Sequence, residues 1–334
     1  MIRKKQIHLF YIGLIWIFMW ILSGWNTDNA DLSNYVTYYD EGDMFLLSGL
    51  ANPGFHFLNY IFNSHNISFE TYHIILFGII TFFICYQVWK RSYNPIIVIL
   101  IYLLTAYIPD IIQLKNSLAY IFLLLGLFCL IDPNERHSKL KFLILNTIAT
   151  TIHVGFVFYF VFLLVDRKIK SSYVICGSIL LSIFGHSILS YFSSFAFISD
   201  NTFLNNRAES YLSTSSYVSV ILCSLQYLLH YYVCKSCVLN SPYNGINKHR
   251  FMQITALAST LIIMTSVNMT FFRLFRNLLL FSSIYIINGY YYKSNKMNMT
   301  CILFLYFITM SYFHLWHGDV LKNVGIIINN NSFW

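Results

Sequence analysis

Apolar residues occupy this chain in ten long blocks, near residues 7–23, 72–89, 95–109, 112–131, 142–165, 173–192, 217–237, 251–267, 277–292 and 299–316. Runs of about 20 apolar residues are what a helix needs to cross the hydrocarbon of a bilayer, and they lack the one-sided stripe of a helix that faces water. Charge points the same way. Only 10% of the 334 residues are Asp, Glu, Lys or Arg, whereas a water-facing surface needs roughly a quarter. The chain is therefore expected to be all-α: a single polytopic membrane domain over 1–334, with about nine to eleven transmembrane helices. That leaves no length for a separate soluble catalytic domain, so any chemistry must sit on loops and helix ends at the membrane surface.

The basic residues orient the blocks, because short cytoplasmic loops are enriched in Lys and Arg. With Arg3, Lys4 and Lys5 inside, the 24–71 loop lies outside, and it carries Asp28, Asp31, Asp40, Glu41, Asp43 and Glu70 with no Lys or Arg. Within it, the apolar stretch 44–62 is interrupted by Asn52, Pro53 and Gly54, so short pieces on the outer interface are expected. The first block is read as a span rather than a cleaved signal, since no small-x-small site follows it. The 142–165 block strains the charge rule, because Arg136, Lys139 and Lys141 precede it and Arg167, Lys168 and Lys170 follow it. If it breaks near His153, Val154 and Gly155 and returns as a re-entrant pair of arms, 16 of the 21 Lys and Arg fall inside and 10 of the 13 Asp and Glu outside. A simple crossing leaves only 12 basic residues inside. The hairpin is preferred, with the other nine blocks as full spans and the C-terminus outside. The tail Asn329, Asn330 and Asn331 is expected to be unstructured.

Several signals carry little. Cys234 and Cys237 form one C-x-x-C, but a structural zinc site needs about four ligands and no second pair exists. His314 and His317 flank Trp316 and read as interfacial anchors. Walker, G-x-S-x-G and Gly-rich nucleotide motifs are absent, so neither ATP nor serine-hydrolase chemistry is supported. The net charge of +8 is accounted for by loops flanking spans, and no nucleic-acid partner is expected.

The hairpin topology strands five basic residues outside: Lys115, Arg207, Arg273, Arg276 and Lys322. All but Lys322 lie at or near apolar segment ends, where an unpaired charge is costly and a functional role is the default reading. Around Lys115, the residues Gln113, Asn116, Ser117 and Tyr120 make a polar stripe at i, i+3, i+4 and i+7, which suits either a site or interhelical hydrogen bonding. His153 stands alone in an apolar stretch, either as a packing residue or as an apex group facing an outer cavity. Arg273, Arg276 and Asn277 share a helical face. Two guanidinium forks there suit a pyrophosphate or a carboxylate, with snorkelling to lipid phosphate as the alternative.

Four strings, in order, resemble one family. They are Asp31-Leu-Ser-Asn-Tyr35-Val-Thr-Tyr-Tyr39, Asn52-Pro-Gly-Phe-His-Phe-Leu-Asn59, Gln113-Leu-Lys-Asn-Ser-Leu-Ala119 and Ala149-Thr-Thr-Ile-His153-Val-Gly155. Together they are similar to the EpsG-like branch of Wzy-type bacterial polysaccharide polymerases, whose pattern is D-x-x-x-Y-x-x-x-Y, E-P-G-[FY], Q-x-R-x-x-[LI]-A and a small-residue helix ending in His. Arg207-Ala-Glu-Ser-Tyr211 also looks like the family's R-[YF]-x-x-Y loop. The match spans about residues 30 to 280. Asn52 stands where the family usually has Glu, and Lys115 where it usually has Arg.

The resemblance implies a GT-C-like glycosyltransferase in the bacterial cytoplasmic membrane, with its N-terminus in the cytoplasm. It would join oligosaccharide repeat units carried on undecaprenyl pyrophosphate at the outer face, for O-antigen, capsule or exopolysaccharide. Its partners would be that lipid-linked oligosaccharide, the lipid bilayer, a chain-length regulator and a flippase. Arg273, Arg276, Arg207 and Lys115 would neutralise the departing pyrophosphate. His153 or Asp31 would act as the base. Gln113, Tyr35, Tyr39 and Tyr211 would contact substrate, the tyrosines by stacking on sugar rings. Neither a metal nor another cofactor is expected. The competing readings are a transporter or flippase of lipid-linked glycans, which would favour a polar path through the midplane, and a membrane acyltransferase, which would need these groups to face the cytoplasm.

Overall fold

The computed structural model describes residues 2–41, 52–196, 217–239, 241–242, 244–266, 271–292, 297–316 and 320–334. Among these the fold is all-α, and the extended contact is an isolated bridge between Asn26 and Asn331. The helices used below are α1 (Ile2–Gly24), α2 (Leu32–Asp40), α3 (Pro53–Ser64), α4 (Phe69–Arg91), α5 (Pro95–Ile112), α6 (Leu114–Ile131), α7 (Ser138–Ile152), α8 (Ser171–Ala196), α9 (Tyr217–Leu239), α10 (Lys248–Leu257), α11 (Phe272–Arg276), α12 (Leu279–Tyr291), α13 (Met297–His314) and α14 (Val320–Asn329). Six of the described helices are long and apolar enough to cross a membrane: the Ile7–Gly24 part of α1, α4, α5, α6, α9 and α13.

Helix ends follow local chemistry. The Ser68 hydroxyl accepts the Thr71 N–H at 3.3 Å at the start of α4, and that helix carries Glu70 in its first turn and Lys90 and Arg91 in its last. Both charge placements complement the helix dipole. Asn94 caps α5, and Pro95 fills its first turn, where a missing N–H is harmless. Further along, α5 contains a π-helical turn at Leu103–Tyr107 just before Pro109. The chain then leaves helical geometry at a single residue, Gln113 (φ −104°, ψ 66°), and reverses into α6. Arg91 lies 3.9 Å from the ring centre of Phe128, so the far end of α6 has returned to the level of the end of α4.

The 142–165 block is a hairpin. At its base, Lys139 pairs with Asp166 at 3.6 Å, and Arg250 Nε donates to the same carboxylate at 2.9 Å. Between the arms, the Asn146 side chain donates to the Phe156 carbonyl at 3.1 Å. The outgoing arm is α7; the returning arm, Val154–Leu164, is a 3-10 helix. Its sequence explains that choice, because Phe156, Tyr159, Phe162 and Val165 are buried at every third position, the period of a 3-10 helix rather than of an α-helix. At about 1.5 Å per residue for α7 and about 2.0 Å for the 3-10 arm, the two arms are nearly equal, about 22 Å each. Neither reaches across the roughly 30 Å hydrocarbon core, so the apex at His153 sits below the far surface.

Hydropathy marks the central helices poorly. The 251–267 block forms most of α10 followed by short helical turns, and the 277–292 block forms α12, with the short α11 just before it. From Leu279 to Gly289 every residue of α12 is buried, because this helix lies inside the bundle and is covered by protein rather than lipid.

The asparagine tail is ordered, contrary to expectation. Thr27 N–H donates to the Asn330 carbonyl at 2.8 Å, Ser332 N–H donates to Trp25 at 3.0 Å, and the Asn331 amide reaches the Ile21 and Leu22 carbonyls. Those carbonyls lie in the last turn of α1, where intrahelical donors run out, and the Asn331 side chain supplies a donor to both. The tail thus lies at the end of α1 opposite the N-terminus. An even number of crossings would instead put both ends on one face. His314 also departs from expectation. It is buried and stacked on Phe272 at 5.0 Å rather than anchored at an interface.

A reporter fused after Lys170 is expected to read on the same side of the membrane as one fused at the N-terminus. A signal from the opposite side, measured with a paired phosphatase and fluorescent-protein fusion, would overturn the hairpin.

Candidate functional site

At the end of the bundle away from the N-terminus, four separate stretches of chain enclose a cavity of about 190 Å3. Helix α2 supplies one wall. Asp31, Asn34, Tyr35 and Tyr38 line the cavity, and they stand at i, i+3, i+4 and i+7. At about 100° per residue, Tyr38 falls within about 20° of Asp31, whereas Tyr39 lies about 80° away. Tyr39 accordingly turns aside: its hydroxyl donates to the Ile67 carbonyl at 2.6 Å, and its ring packs on Phe69 and Tyr72. Helix α3 holds α2 in place, with the Asn59 and Asn63 amides donating to the Tyr38 and Tyr39 carbonyls at 3.2 and 2.8 Å.

The turn between α5 and α6 supplies Gln113, Lys115 and Asn116. Lys115 Nζ lies 4.5 Å from the ring centre of Tyr38, 5.6 Å from that of Tyr35 and 5.7 Å from that of Phe55. Three aromatic faces steady a partly desolvated ammonium that has no carboxylate within 4 Å among the described residues. Arg273, on α11, also lines the cavity and likewise has no carboxylate partner among the described residues. Asp31 is the cavity's carboxylate. It precedes α2 without capping it through its side chain. Burial holds its carboxyl above the usual range, with Lys115 and Arg273 offsetting only part of that rise.

His153 enters from the hairpin apex, which α3 clamps. Asn52 adopts the left-handed conformation (φ 72°) that asparagine tolerates better than most residues. There its Oδ1 accepts the Val154 N–H at 2.8 Å. Pro53 opens α3, and Gly54 lies so close to the apex that a Cβ would sit 2.6 Å from Thr151 Oγ1. In this chain the Asn-Pro-Gly-Phe string therefore locks the hairpin and places Phe55 beneath Lys115. Described residues 52–62 of the 44–62 stretch form most of a helix packed on protein through Phe55, His56 and Asn59; 44–51 lie outside the described residues.

Behind the cavity is a buried polar layer. Arg276 does not line the cavity. Its Nη2 donates to Gln113 Oε1 at 2.9 Å and lies 3.4 Å from Asp110 Oδ1. The Tyr102 hydroxyl donates to the other Asp110 oxygen at 2.7 Å, and the Asn116 and Asn277 amides exchange two hydrogen bonds at 3.1 and 3.0 Å. The two arginines thus divide: Arg273 faces the space, and Arg276 orients Gln113 from below.

Of the residues expected from sequence, Asp31, Tyr35, Gln113, Lys115, His153 and Arg273 meet in one cavity; Arg276 and Tyr39 stand outside it. Arg207 and Tyr211 lie outside the described residues. Asn34 and Tyr38 line the cavity without having been singled out. Counting at i+3 and i+7 from Asp31, rather than at i+4 and i+8, would have found both.

The site can bind an anion. Two cations and one carboxylate face a space between aromatic walls, with an imidazole at one side. The EpsG family model matches residues 9–326. No curated protein and no solved structure matches the chain.

Proposed function

Because this chain belongs to the EpsG family, and membership points to a polymerase-like role in polysaccharide biosynthesis, we propose that it polymerises oligosaccharide repeat units carried on undecaprenyl pyrophosphate. The reaction takes place at the outer face of the bacterial cytoplasmic membrane. The anomeric C–O bond to the donor's pyrophosphate breaks, and its electron pair leaves on the phosphate oxygen. A hydroxyl of the next lipid-linked unit forms the new C–O bond and gives up its proton to a base in the cavity.

The observation that carries this reading is the pair of cations, Lys115 and Arg273, which share a cavity with Asp31 and His153 and have no ion-pair partner among the described residues. Fixed positive charge already in place stabilises the charge that grows on a departing pyrophosphate, with no reorganisation during the reaction. The cavity is smaller than the roughly 300 Å3 of a ligand-enclosing pocket. It suits the reacting groups, while the glycan and the lipid extend from its mouth. The buried centre of the bundle around α12 is mostly apolar, which favours surface chemistry over a polar transport path.

The test supplies purified protein in liposomes with lipid-pyrophosphate-linked repeat units. A ladder of multiples on a gel is expected, with release of the lipid pyrophosphate. Intact single units that merely change leaflet would favour a flippase, and transfer of an acyl group instead would favour an acyltransferase; either would overturn the proposal.

A further inference from the structure

The hairpin apex fixes which nitrogen of His153 carries the proton. His153 Nδ1 accepts the Gly155 N–H at 3.1 Å. An acceptor nitrogen has its lone pair in that bond and no hydrogen, so in the neutral ring the proton resides on Nε2. Two features enforce this arrangement. Gly155 has no side chain, and a Cβ there would sit 3.2 Å from the ring's Cε1. The neighbouring Val154 N–H is already taken by Asn52, so the apex backbone is held where Gly155 can reach the ring. Protonating Nδ1, or moving the proton to it, would set two N–H groups against each other.

On the glycosyl-transfer reading above, we propose that His153 is a hydrogen-bond donor to the departing pyrophosphate and that Asp31 takes the acceptor proton. A ring whose Nδ1 is committed to the backbone has no lone pair left at Nε2 with which to remove a proton. The other titratable groups facing it from the described residues are Lys115, Arg273, Tyr35, Tyr38 and Asp31. The cations oppose a positive imidazolium. Phenols hold their protons near neutrality, and at Tyr35 burial and Asp31 raise that tendency further. Asp31 alone among them offers an ionised acceptor. In the step, the hydroxyl O–H bond breaks, its proton passes to an Asp31 oxygen, and the oxygen's electron pair forms the new C–O bond. The Nε2–H of His153 meanwhile donates to a phosphate oxygen beside Arg273 and Lys115.

The primary experiment is nitrogen NMR on full-length protein in nanodiscs with labelled histidine, assigned by subtracting the spectrum of His153→Gln. The expected result is an unprotonated Nδ1 and a protonated Nε2. The opposite tautomer, or a doubly protonated ring at neutral pH, overturns the proposal whether or not the polymerase reading stands. Kinetics give an independent arm. His153→Gln keeps an N–H donor but cannot act as a base, so it should retain turnover within about tenfold of wild type, while His153→Ala loses about a hundredfold. Asp31→Asn should lose about a thousandfold or more. The acid limb of the rate profile, where activity rises with pH as Asp31 ionises, should persist in His153→Gln at a position above the ordinary carboxylate range. A glutamine variant as inactive as the alanine one, alongside an active Asp31→Asn, would make His153 the base. A wild-type protein that makes no polymer would instead refute the reading in the previous section, leaving the tautomer to be decided by NMR.

Discussion

Arg273→Ala should give cells in which repeat units fail to extend into long chains, with turnover reduced about a hundred- to a thousandfold and the protein present at its normal level. The size of the effect is that of removing one preorganised charge from the place where a transition state develops its own. The normal level follows from the surroundings: Arg273 makes no ion pair among the described residues, so truncating it strands no buried partner. Arg273→Lys should recover part of the activity, because it keeps the charge and loses the two-pronged geometry. Polysaccharide length on a gel, read beside an immunoblot, measures both quantities. Long chains at normal protein level in the alanine variant would remove Arg273 from the reaction.

Arg276→Ala should do the reverse, reducing the amount of folded protein first and activity as a consequence. Arg276 and Asp110 are 7% and 5% exposed, so deleting either leaves the other charged in a low-dielectric interior. Breaking such a pair costs about 3–5 kcal/mol, a large share of a protein's total stability. Replacing both together, with Arg276→Met and Asp110→Leu, removes the stranded charge and should restore much of the lost stability. Thermal denaturation in detergent, followed by fluorescence-detected size exclusion, reads this directly. An Arg276→Ala protein as stable as wild type would overturn the structural role given to the Arg276–Asp110 pair. The two arginines are three residues apart, yet their variants should separate cleanly into one with normal protein and no polymer and one with little protein.

The contrast shows which parts of the site were legible in advance. Sorting charges by side found Lys115, Arg273 and Arg276 together, because a charge at the end of an apolar segment is conspicuous whatever it does. It did not distinguish Arg273 from Arg276, since the difference lies in Asp110 and Gln113, about 160 residues away in the chain. The hairpin was legible for a similar reason, its two basic flanks being incompatible with a simple crossing. The 3-10 form of its returning arm was not anticipated, although the three-residue spacing of Phe156, Tyr159 and Phe162 was present to be read.

Tyr38 and Tyr39 give the finest example. They are adjacent in sequence and identical in chemistry, and a rotation of about 100° sends one to the cavity and the other into the packing against α4. Asn52 makes the complementary point. It stands where the resembled family usually has Glu, and its backbone angle and its bond to Val154 give it a structural task here. The ordered tail could not be foreseen from three consecutive asparagines, because the groups that Asn330 and Asn331 bond belong to the opposite end of the chain.

Composition alone decided that this protein lives in a membrane, since so few charges cannot clothe a surface in water, and the scarcity of charges made the few outlying ones informative. Which of those charges share a cavity and which are spent on each other were decided only by tertiary structure. Each of those outcomes depends on partners brought from distant segments and on rotations of a fraction of a helical turn, which no local pattern of residues encodes.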